Sequence, residues 1–222
     1  KCEVLAPAPS VISTKPSAPH AAGERLLVRL QLSGELRRID PARTSMFAQG
    51  LESLSRLGSN KGAGDYGLLA ESDGVASLAN FYAVLARRTD GKWERGEGST
   101  MGDLGAGATS HVRMKVDAPS DVRIVSSGVT TRDAPTKSDA GARHEVEIVA
   151  ALVRDFALLA SHRFETATRK VGPVEVRSHY VQKDEKGGRR VLDAAAQSLA
   201  VYERRFGRYP YVDLDVVEAP LV

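Results

Sequence analysis

A stretch of five residues in the middle of the chain comes close to a zinc-binding motif. Residues 144–148 (HEVEI) begin like HExxH, in which two histidines four residues apart on one helix face hold the metal. Ile148 stands where the second histidine must be. The stretch also alternates polar and apolar residues, which is the period of a strand. We therefore predict a β-strand without a metal site here.

A second candidate is rich in glycine. Residues 62–67 (GAGDYG) match GxGxxG, the loop that binds the pyrophosphate of a dinucleotide when it joins a strand to the start of a helix. Here residues 59–61 (SNK) precede it and a strand-like segment follows it. Because neither flank fits the dinucleotide loop, we predict a flexible surface loop.

The other groups that could take part in catalysis are scattered along the chain. The remaining histidines lack the spacing of metal ligands: His20, His111, His162 and His179. The chain contains no GxSxG motif and no Cys/His pair with an orienting acid. Residue types and spacing alone therefore predict no catalytic residue and no metal ligand.

Composition excludes several classes of protein. Of 222 residues, 42% are hydrophobic and 27% are charged, which is ordinary for a globular domain. A net charge of +3 and an aromatic content of 5% argue against a nucleic-acid partner. Cys2 is the only cysteine, so no intrachain disulfide can form. No apolar run approaches the ~20 residues of a transmembrane segment. The compartment stays open between the cytoplasm and the cell envelope or secretion.

Most of the chain has the pattern of a β-protein. Residues 1–22 place four prolines among alanine and serine, which predicts a flexible arm. Residues 23–170 contain short alternating segments between Gly and Asp turns, which predicts a β-sandwich domain. The predicted strands are Arg25–Leu32, His111–Asp117, Val122–Val125, His144–Val149 and Val153–Ala160.

Residues 171–222 change to a strand, a helix and a strand. Val174–Tyr180 and Asp213–Val217 have the pattern of strands, and residues 186–188 (KGG) predict a turn between the first strand and the helix. Arg190–Phe206 is predicted to be helical because apolar residues recur every three or four positions. These are Leu192, Ala195, Leu199, Tyr202 and Phe206. One helix face cannot enclose a core, so we predict the start of an incomplete second domain.

Several stretches also match, in order, the sequence pattern of one family. They are residues 66–69 (YGLL), 73–74 (DG), 79–86 (ANFYAVLA), 93 with 102–103 (W, then GD), 118–128 (APSDVRIVSSG), 153–157 (VRDFA) and 206–218 (FGRYPYVDLDVVE). From about residue 60 to its end the chain resembles the gluzincins, zinc aminopeptidases of the aminopeptidase N and leukotriene-A4 hydrolase type. VRDFA together with FGRYPY is the most specific part of this resemblance.

The resemblance implies a mainly-β fold: an N-terminal, saddle-like β-sandwich domain, followed by the first strand, helix and strand of a thermolysin-like α/β catalytic domain. In the family an exopeptidase loop, the HExxH helix and a third ligand, a glutamate, follow the strand that matches Asp213–Val217. None of these is in this sequence. The chain is thus expected to be the N-terminal region of a bacterial zinc aminopeptidase. Zinc, the catalytic domain and the peptide substrate would belong to the full-length parent.

Two residues of this chain correspond to family positions near the free amino group of the bound peptide. Matching LANFY to the family's L-x-Q-W-Y places the family's glutamine at Asn80 and its glutamate at Tyr82. Asn80 keeps an amide on a shorter stem, whereas Tyr82 lacks the carboxylate that would pair with the amine. The resemblance therefore implies substrate-binding positions at Asn80 and Tyr82, and the tyrosine departs from aminopeptidase specificity.

Two other functions fit the sequence. The chain could be a stand-alone β-sandwich module that binds a protein or a glycan, or an inactive family member that serves as a scaffold. Exposed apolar surface on the helix Arg190–Phe206 distinguishes the first alternative from a partial protein. A large uncovered patch indicates that further structure covers the helix, and a covered helix favours the module.

Overall fold

The computed structural model of the protein describes residues 2–8, 11–16, 18, 21, 23–40, 69–79, 81–93, 109–139 and 141–219. Two sequence predictions, the GxGxxG loop at 62–67 and the substrate-binding position Asn80, lie outside these residues. The chain divides into two units. The first unit comprises residues 1–35 and 84–107, and the second comprises residues 36–83 and 108–222.

The described residues form mainly β-structure, as the sequence predicts. The strands are β1 (Cys2–Ala8), β2 (Val11–Pro16), β3 (Arg37–Arg38), β4 (Leu69–Ser72), β5 (Val75–Ala79), β6 (Arg88–Thr89), β7 (Lys92–Trp93), β8 (Ser110–Pro119), β9 (Arg123–Ser126), β10 (Val129–Thr136), β11 (Arg143–Val153), β12 (Ala157–Ser161), β13 (Phe164–Val171), β14 (Val174–Val181) and β15 (Asp213–Val217). A 3-10 turn (Gln182–Asp184) leads into helix α1 (Glu185–Phe206). Within the described part, no helix has the length and hydrophobicity needed to cross a membrane.

The described residues of the first unit form two antiparallel hairpins, β1–β2 and β6–β7. Strands β1 and β2 lie where composition predicted a flexible arm. The predicted strand Arg25–Leu32 is wrong, because residues 24–36 have no regular structure. No strand among the described residues pairs with this segment. Its apolar side chains, Leu26, Val28, Leu30 and Leu32, are each about half exposed. Alternation alone is therefore not sufficient, since a strand also needs a neighbour for its backbone hydrogen bonds.

In the second unit the strands that the structure describes form three sheets. Their strand orders are β3-β4-β5-β12-β9, β10-β11-β8 and β13-β14-β15. The predicted strands within residues 111–149 are confirmed by β8, β9 and β11. The predicted single strand Val153–Ala160 is wrong, because β11 ends at Val153 and β12 begins at Ala157. The exposed charged pair Arg154-Asp155 interrupts the pairing, and the ring of Phe156 is buried in the core beyond it.

The largest apolar cluster brings together side chains from the first two of these sheets. Val146, Ile148 and Ala150 on β11 contact Leu158 of β12 and the ring of Phe156. Side chains from β5, β8 and β9 pack around them: Leu78, Val112, Met114, Val116 and Ile124. Complete burial of an Ile or Phe side chain contributes about 1.5–3 kcal/mol, so this cluster is a main source of stability.

The third sheet carries α1 on one face. Val174 and Val176 of β14 pack against Leu192 and Leu199 of α1. After α1 the chain returns as β15, which pairs in parallel with β14. This is the strand–helix–strand unit that the sequence predicts for residues 171–222, and the bounds of β15 are those predicted.

The predicted turn at residues 186–188 is wrong, because α1 already begins at Glu185. The reason is a close approach between α1 and β14. A Cβ atom on Gly188 would lie 2.2 Å from Cδ1 of Tyr180, whereas one on Gly187 would have no atom within 4 Å. Gly188 therefore lies within the helix, where the absence of a side chain lets α1 approach β14 closely, and it does not form a turn.

We expect Gly188→Ala to lower the free energy of unfolding by about 1–3 kcal/mol, because the added methyl must push the Tyr180 ring or the helix away. Gly187→Ala is the matched control. It should raise the free energy of unfolding by about 0.5–1 kcal/mol, since alanine favours the helix and meets no neighbour. Urea unfolding followed by circular dichroism measures both. A Gly188→Ala protein as stable as wild type would contradict the close approach.

Candidate functional site

A cluster of charged and polar side chains lies on the face of the third sheet that is opposite α1. Side chains alternate along β14, so Val174 and Val176 face the helix while Arg177 and His179 face the other way. In the strand register Arg177 lies beside Asp215 of β15, and His179 lies beside Thr166 of β13. We call Arg177, His179, Asp213, Asp215 and Thr166 the Arg177 cluster.

The Arg177 guanidinium holds two carboxylates. Its Nε donates to Oδ1 of Asp215 at 2.6 Å, and its Nη2 donates to Oδ2 of Asp213 at 2.6 Å and to Oδ2 of Asp215 at 3.1 Å. The pairing with Asp215 is thus bidentate, the arrangement in which the planar guanidinium binds a carboxylate most strongly.

His179 extends this network towards the edge of the neighbouring sheet. Its Nε2 lies 3.3 Å from Oδ1 of Asp215 and its Nδ1 lies 3.0 Å from Oγ1 of Thr166. Nη1 of Arg123 donates to the same Thr166 oxygen at 3.2 Å. Because the Thr166 oxygen accepts from Arg123, its hydroxyl proton is free to point to Nδ1 of His179, and Nε2 of the same ring faces Asp215.

Burial and charge act in opposite directions on the pKa of Asp215. Burial raises its pKa, but the hydrogen bonds to His179 and Arg177 and the positive charge of Arg177 lower it more, so the pKa lies below the ordinary value of an aspartate. For Arg177 the hydrogen bonds and charges of Asp215 and Asp213 outweigh burial and raise the pKa. Both groups are therefore ionised at neutral pH.

The next residue beyond β15 closes the same region. The backbone N–H of Glu218 donates to the carbonyl of His179 at 2.9 Å. In return, the Glu218 carboxylate accepts from the N–H of Val181 at 2.8 Å. Burial and the nearby Asp184 raise the pKa of Glu218, although the hydrogen bond from Val181 acts against this rise. Glu218 thus continues the connection between β14 and β15 past the end of the ladder.

The side chains of the Arg177 cluster already bind one another, which limits the reactions in which the cluster can take part. An aspartate, a histidine and a hydroxyl in sequence can activate a nucleophile. Here, however, the Thr166 oxygen already accepts from Arg123, and the His179 side chain is only 10% exposed. An open depression of about 560 Å³ lies elsewhere, between α1 and the β13–β14 turn, lined by Pro173, Ala200, Glu203, Arg204 and Arg208. We therefore interpret the cluster as the group that fixes β15 against β14.

Tyr82, one of the two sequence-predicted substrate positions, lies three residues beyond the end of β5. Its ring packs edge-on against Phe81 at 5.7 Å and faces Phe156 at 6.4 Å between centroids. These rings join the apolar cluster around β11, so Tyr82 contributes to that core from its edge. Tyr82 therefore packs at the edge of the core around β11 and is not part of the Arg177 cluster.

The stretch that begins like HExxH is a strand, as predicted. Val146 and Ile148 point into the core, whereas Glu145 and Glu147 lie on the other face, where both bind Nζ of Lys115 at 3.2 and 3.0 Å. Nδ1 of His144 lies 2.7 Å from a carboxylate oxygen of Asp133. Across the described parts of the chain, no group of three His, Cys, Asp or Glu side chains is placed to hold a metal.

We expect Asp215→Asn to lower the free energy of unfolding at pH 7 by about 2–3 kcal/mol, because the half-buried Arg177 loses its bidentate partner. The pKa of Asp215 is lower in the folded protein than the roughly 3.9 of an unfolded aspartate. Its contribution is therefore complete above that pH and is lost as the pH falls through the folded-state pKa. The difference in free energy of unfolding between wild type and Asp215→Asn should become smaller below about pH 4.

Asp193→Asn is the matched control for this experiment. Asp193 pairs with Arg169 at 2.8 Å, but both side chains are half exposed. Its loss should cost less than about 1 kcal/mol at either pH. Urea titrations at both pH values measure all three proteins, and equal losses in the two variants would contradict a special role for Asp215.

Comparison with known proteins does not assign the chain to a family. No protein-family model matches it, and no curated protein sequence matches it.

Proposed function

We propose that the chain is the N-terminal region of a bacterial zinc aminopeptidase of the gluzincin type. In this proposal residues 23–170 contain the β-sandwich domain and residues 171–222 begin the catalytic domain. The chain would act as a scaffold that borders the substrate cleft, and hydrolysis would be carried out by the rest of the parent protein. The proposal rests on the sequence resemblance, and one observation on α1 carries it further.

That observation is the uneven burial of the apolar stripe of α1. Leu192 and Leu199 are buried against β14, whereas Tyr202 is 58% exposed and Phe206 is 81% exposed. The two exposed rings contact each other, with centroids 5.9 Å apart. A stripe with one covered end and one open end is expected where further structure packs on the helix. The uncovered end supports a partial domain over a stand-alone binding module.

The edge of the third sheet supports the same proposal. Among the described residues β15 pairs only with β14, so its second edge is open. The adjoining Tyr211 and Val212 are largely exposed, and the Tyr211 ring lies 5.5 Å from that of Tyr209. Unpaired backbone groups beside exposed apolar side chains form a surface to which another strand can add. In our proposal the downstream catalytic domain of the same protein supplies that strand.

The apolar cluster between β11 and β12 supports the sandwich part of the proposal. It draws side chains from the facing sides of two sheets, which is how a β-sandwich builds its core. Asn80 and Tyr82 would lie near the amino end of a peptide bound to the parent. The Tyr82 ring, which packs against Phe81 and Phe156, would form an apolar wall of this cleft. It would not supply the negative charge that the family's glutamate provides.

Zinc would have to be bound outside this chain. The nearest approach to a zinc motif does not fit, because a buried isoleucine, Ile148, stands in the place of the second histidine and the stretch is a strand. Zinc would polarise the scissile carbonyl and activate water in the parent enzyme. No residue described here is assigned to that step.

Phe206→Ser tests whether the open end of α1 is covered in the parent. In the chain by itself Phe206 is exposed, so the variant should change the free energy of unfolding by less than about 0.5 kcal/mol. In the parent the same change should cost about 3 kcal/mol, because the ring would be buried. Val191→Ser, a half-exposed position on the same helix, should have a small effect in both. Equal, small effects of Phe206→Ser in both proteins would sink the scaffold proposal.

The enzymatic part of the proposal is tested on the parent protein. The coding sequence beyond Val222 should continue into an HExxH helix with a downstream glutamate. The purified parent should contain zinc and release N-terminal residues from aminoacyl fluorogenic substrates, and this chain alone should do neither. A parent with degraded motifs and no zinc would be an inactive scaffold. A gene that ends with this chain would favour the binding module.

A further inference from the structure

The β6–β7 hairpin of the first unit has an unusual surface. Arg88 of β6 lies directly across from Trp93 of β7, and Thr89 lies across from Lys92. The turn between them, Asp90-Gly91, has positive φ angles of 50° and 76° at its two residues, as in the tight hairpin turns that Asp-Gly sequences favour. Nε of Arg88 donates to the carbonyl of Gly91 at 3.2 Å, which fixes the hairpin further.

Large apolar side chains are exposed along this segment. Val84 is 73% exposed, Leu85 is 83% exposed and Trp93 is 48% exposed. Two adjacent aliphatic side chains and an indole are thus exposed within ten residues of sequence. Exposed apolar side chains that lie together mark sites that meet another apolar phase or a partner.

The same segment is basic. Residues 84–93 (VLARRTDGKW) contain three cationic side chains and a single acidic one, Asp90 in the turn. The guanidinium of Arg88 lies 5.6 Å from the centroid of the Trp93 ring, a cation–π arrangement that keeps the indole beside a positive charge. Cationic and exposed apolar side chains are thus combined within residues 84–93.

We propose that residues 84–93 bind the surface of an anionic lipid bilayer. Tryptophan is favoured at the level of the lipid headgroups, cations are attracted to anionic headgroups, and exposed aliphatic side chains can enter the acyl-chain boundary. Nucleic acid offers the same negative charge but no apolar phase for Val84 and Leu85. The bilayer therefore matches both properties of the hairpin. This inference is independent of the proposed peptidase function.

Trp93 makes the proposal directly testable, because it is the only tryptophan in the chain. Its fluorescence emission should shift to the blue when the protein is mixed with phosphatidylcholine vesicles that contain about a third phosphatidylglycerol. Lipids brominated on their acyl chains should quench it. Pure phosphatidylcholine vesicles should give a much smaller shift, and high salt should reverse the binding. The absence of any shift with anionic vesicles would overturn the proposal.

Paired variants separate the hairpin from the overall charge of the protein. Lys92→Gln should weaken vesicle binding about fivefold, the value for one cation near an anionic surface. Lys186→Gln removes the same charge from the exposed start of α1 in the second unit and should change binding less than twofold. Leu85→Ser should weaken binding about tenfold, since it removes a side chain that enters the bilayer. Val212→Ser, also at an exposed aliphatic residue, is its control.

Two results would contradict a hairpin-specific lipid site. Equal losses in Lys92→Gln and Lys186→Gln would mean that binding follows net charge alone. A blue shift of the same size with a short DNA duplex would mean that the hairpin recognises polyanions in general. All four substitutions are at exposed positions, so circular dichroism should show the wild-type fold in each.

Discussion

The position of β15 depends on the ion pair between Arg177 and the carboxylates of β15. In a parallel pair, a slip of one residue would turn Asp213 and Asp215 towards the apolar underside of α1, and would turn Leu214 away from it. The half-buried guanidinium would then lose both aspartates. Charge pairing on one face and apolar packing on the other therefore specify the same register. Because α1 connects the two strands, the register of β14 and β15 also fixes the position of α1 on the sheet.

A second group of charges joins the other end of the third sheet to the five-stranded sheet. The Asp73 carboxylate, in the β4–β5 turn, accepts hydrogen bonds from Arg163 and from Lys183. The Arg163 guanidinium also donates to the Asp73 backbone carbonyl at 2.6 Å. Between these polar contacts Val75, Phe164 and Val181 form a small apolar cluster. These polar contacts and the small apolar cluster together join the third sheet to the five-stranded sheet within the second unit.

Strong local patterns were enough to predict the strand–helix–strand unit. β14, α1 and β15 each carry a clear period. Gly207 follows the last residue of the helix, with φ 97° and its N–H bound to the Glu203 carbonyl. The predictions failed where contacts with distant parts of the chain determine the local structure. Arg25–Leu32 alternates but has no paired strand among the described residues. The two glycines at 187–188 suggested a turn, although Gly188 lies in the helix and packs against Tyr180. The Arg177 cluster was also missed, because its members come together through a parallel pairing that spans a whole helix. Alternation in β14 does place Arg177 and His179 on one face, which was the only available signal.

The crossover between β14 and β15 also bears on the order of folding. The β13–β14 hairpin closes over only Gly172 and Pro173, whereas β15 can pair only after the whole segment from Gln182 to Val212 has been organised. Because the entropy cost of closing a loop grows with its length, we expect the hairpin and the helix to form before β15 is added. The Arg177 cluster would then be completed after the transition state. Interactions made that late slow the unfolding of the native protein and leave its rate of folding almost unchanged.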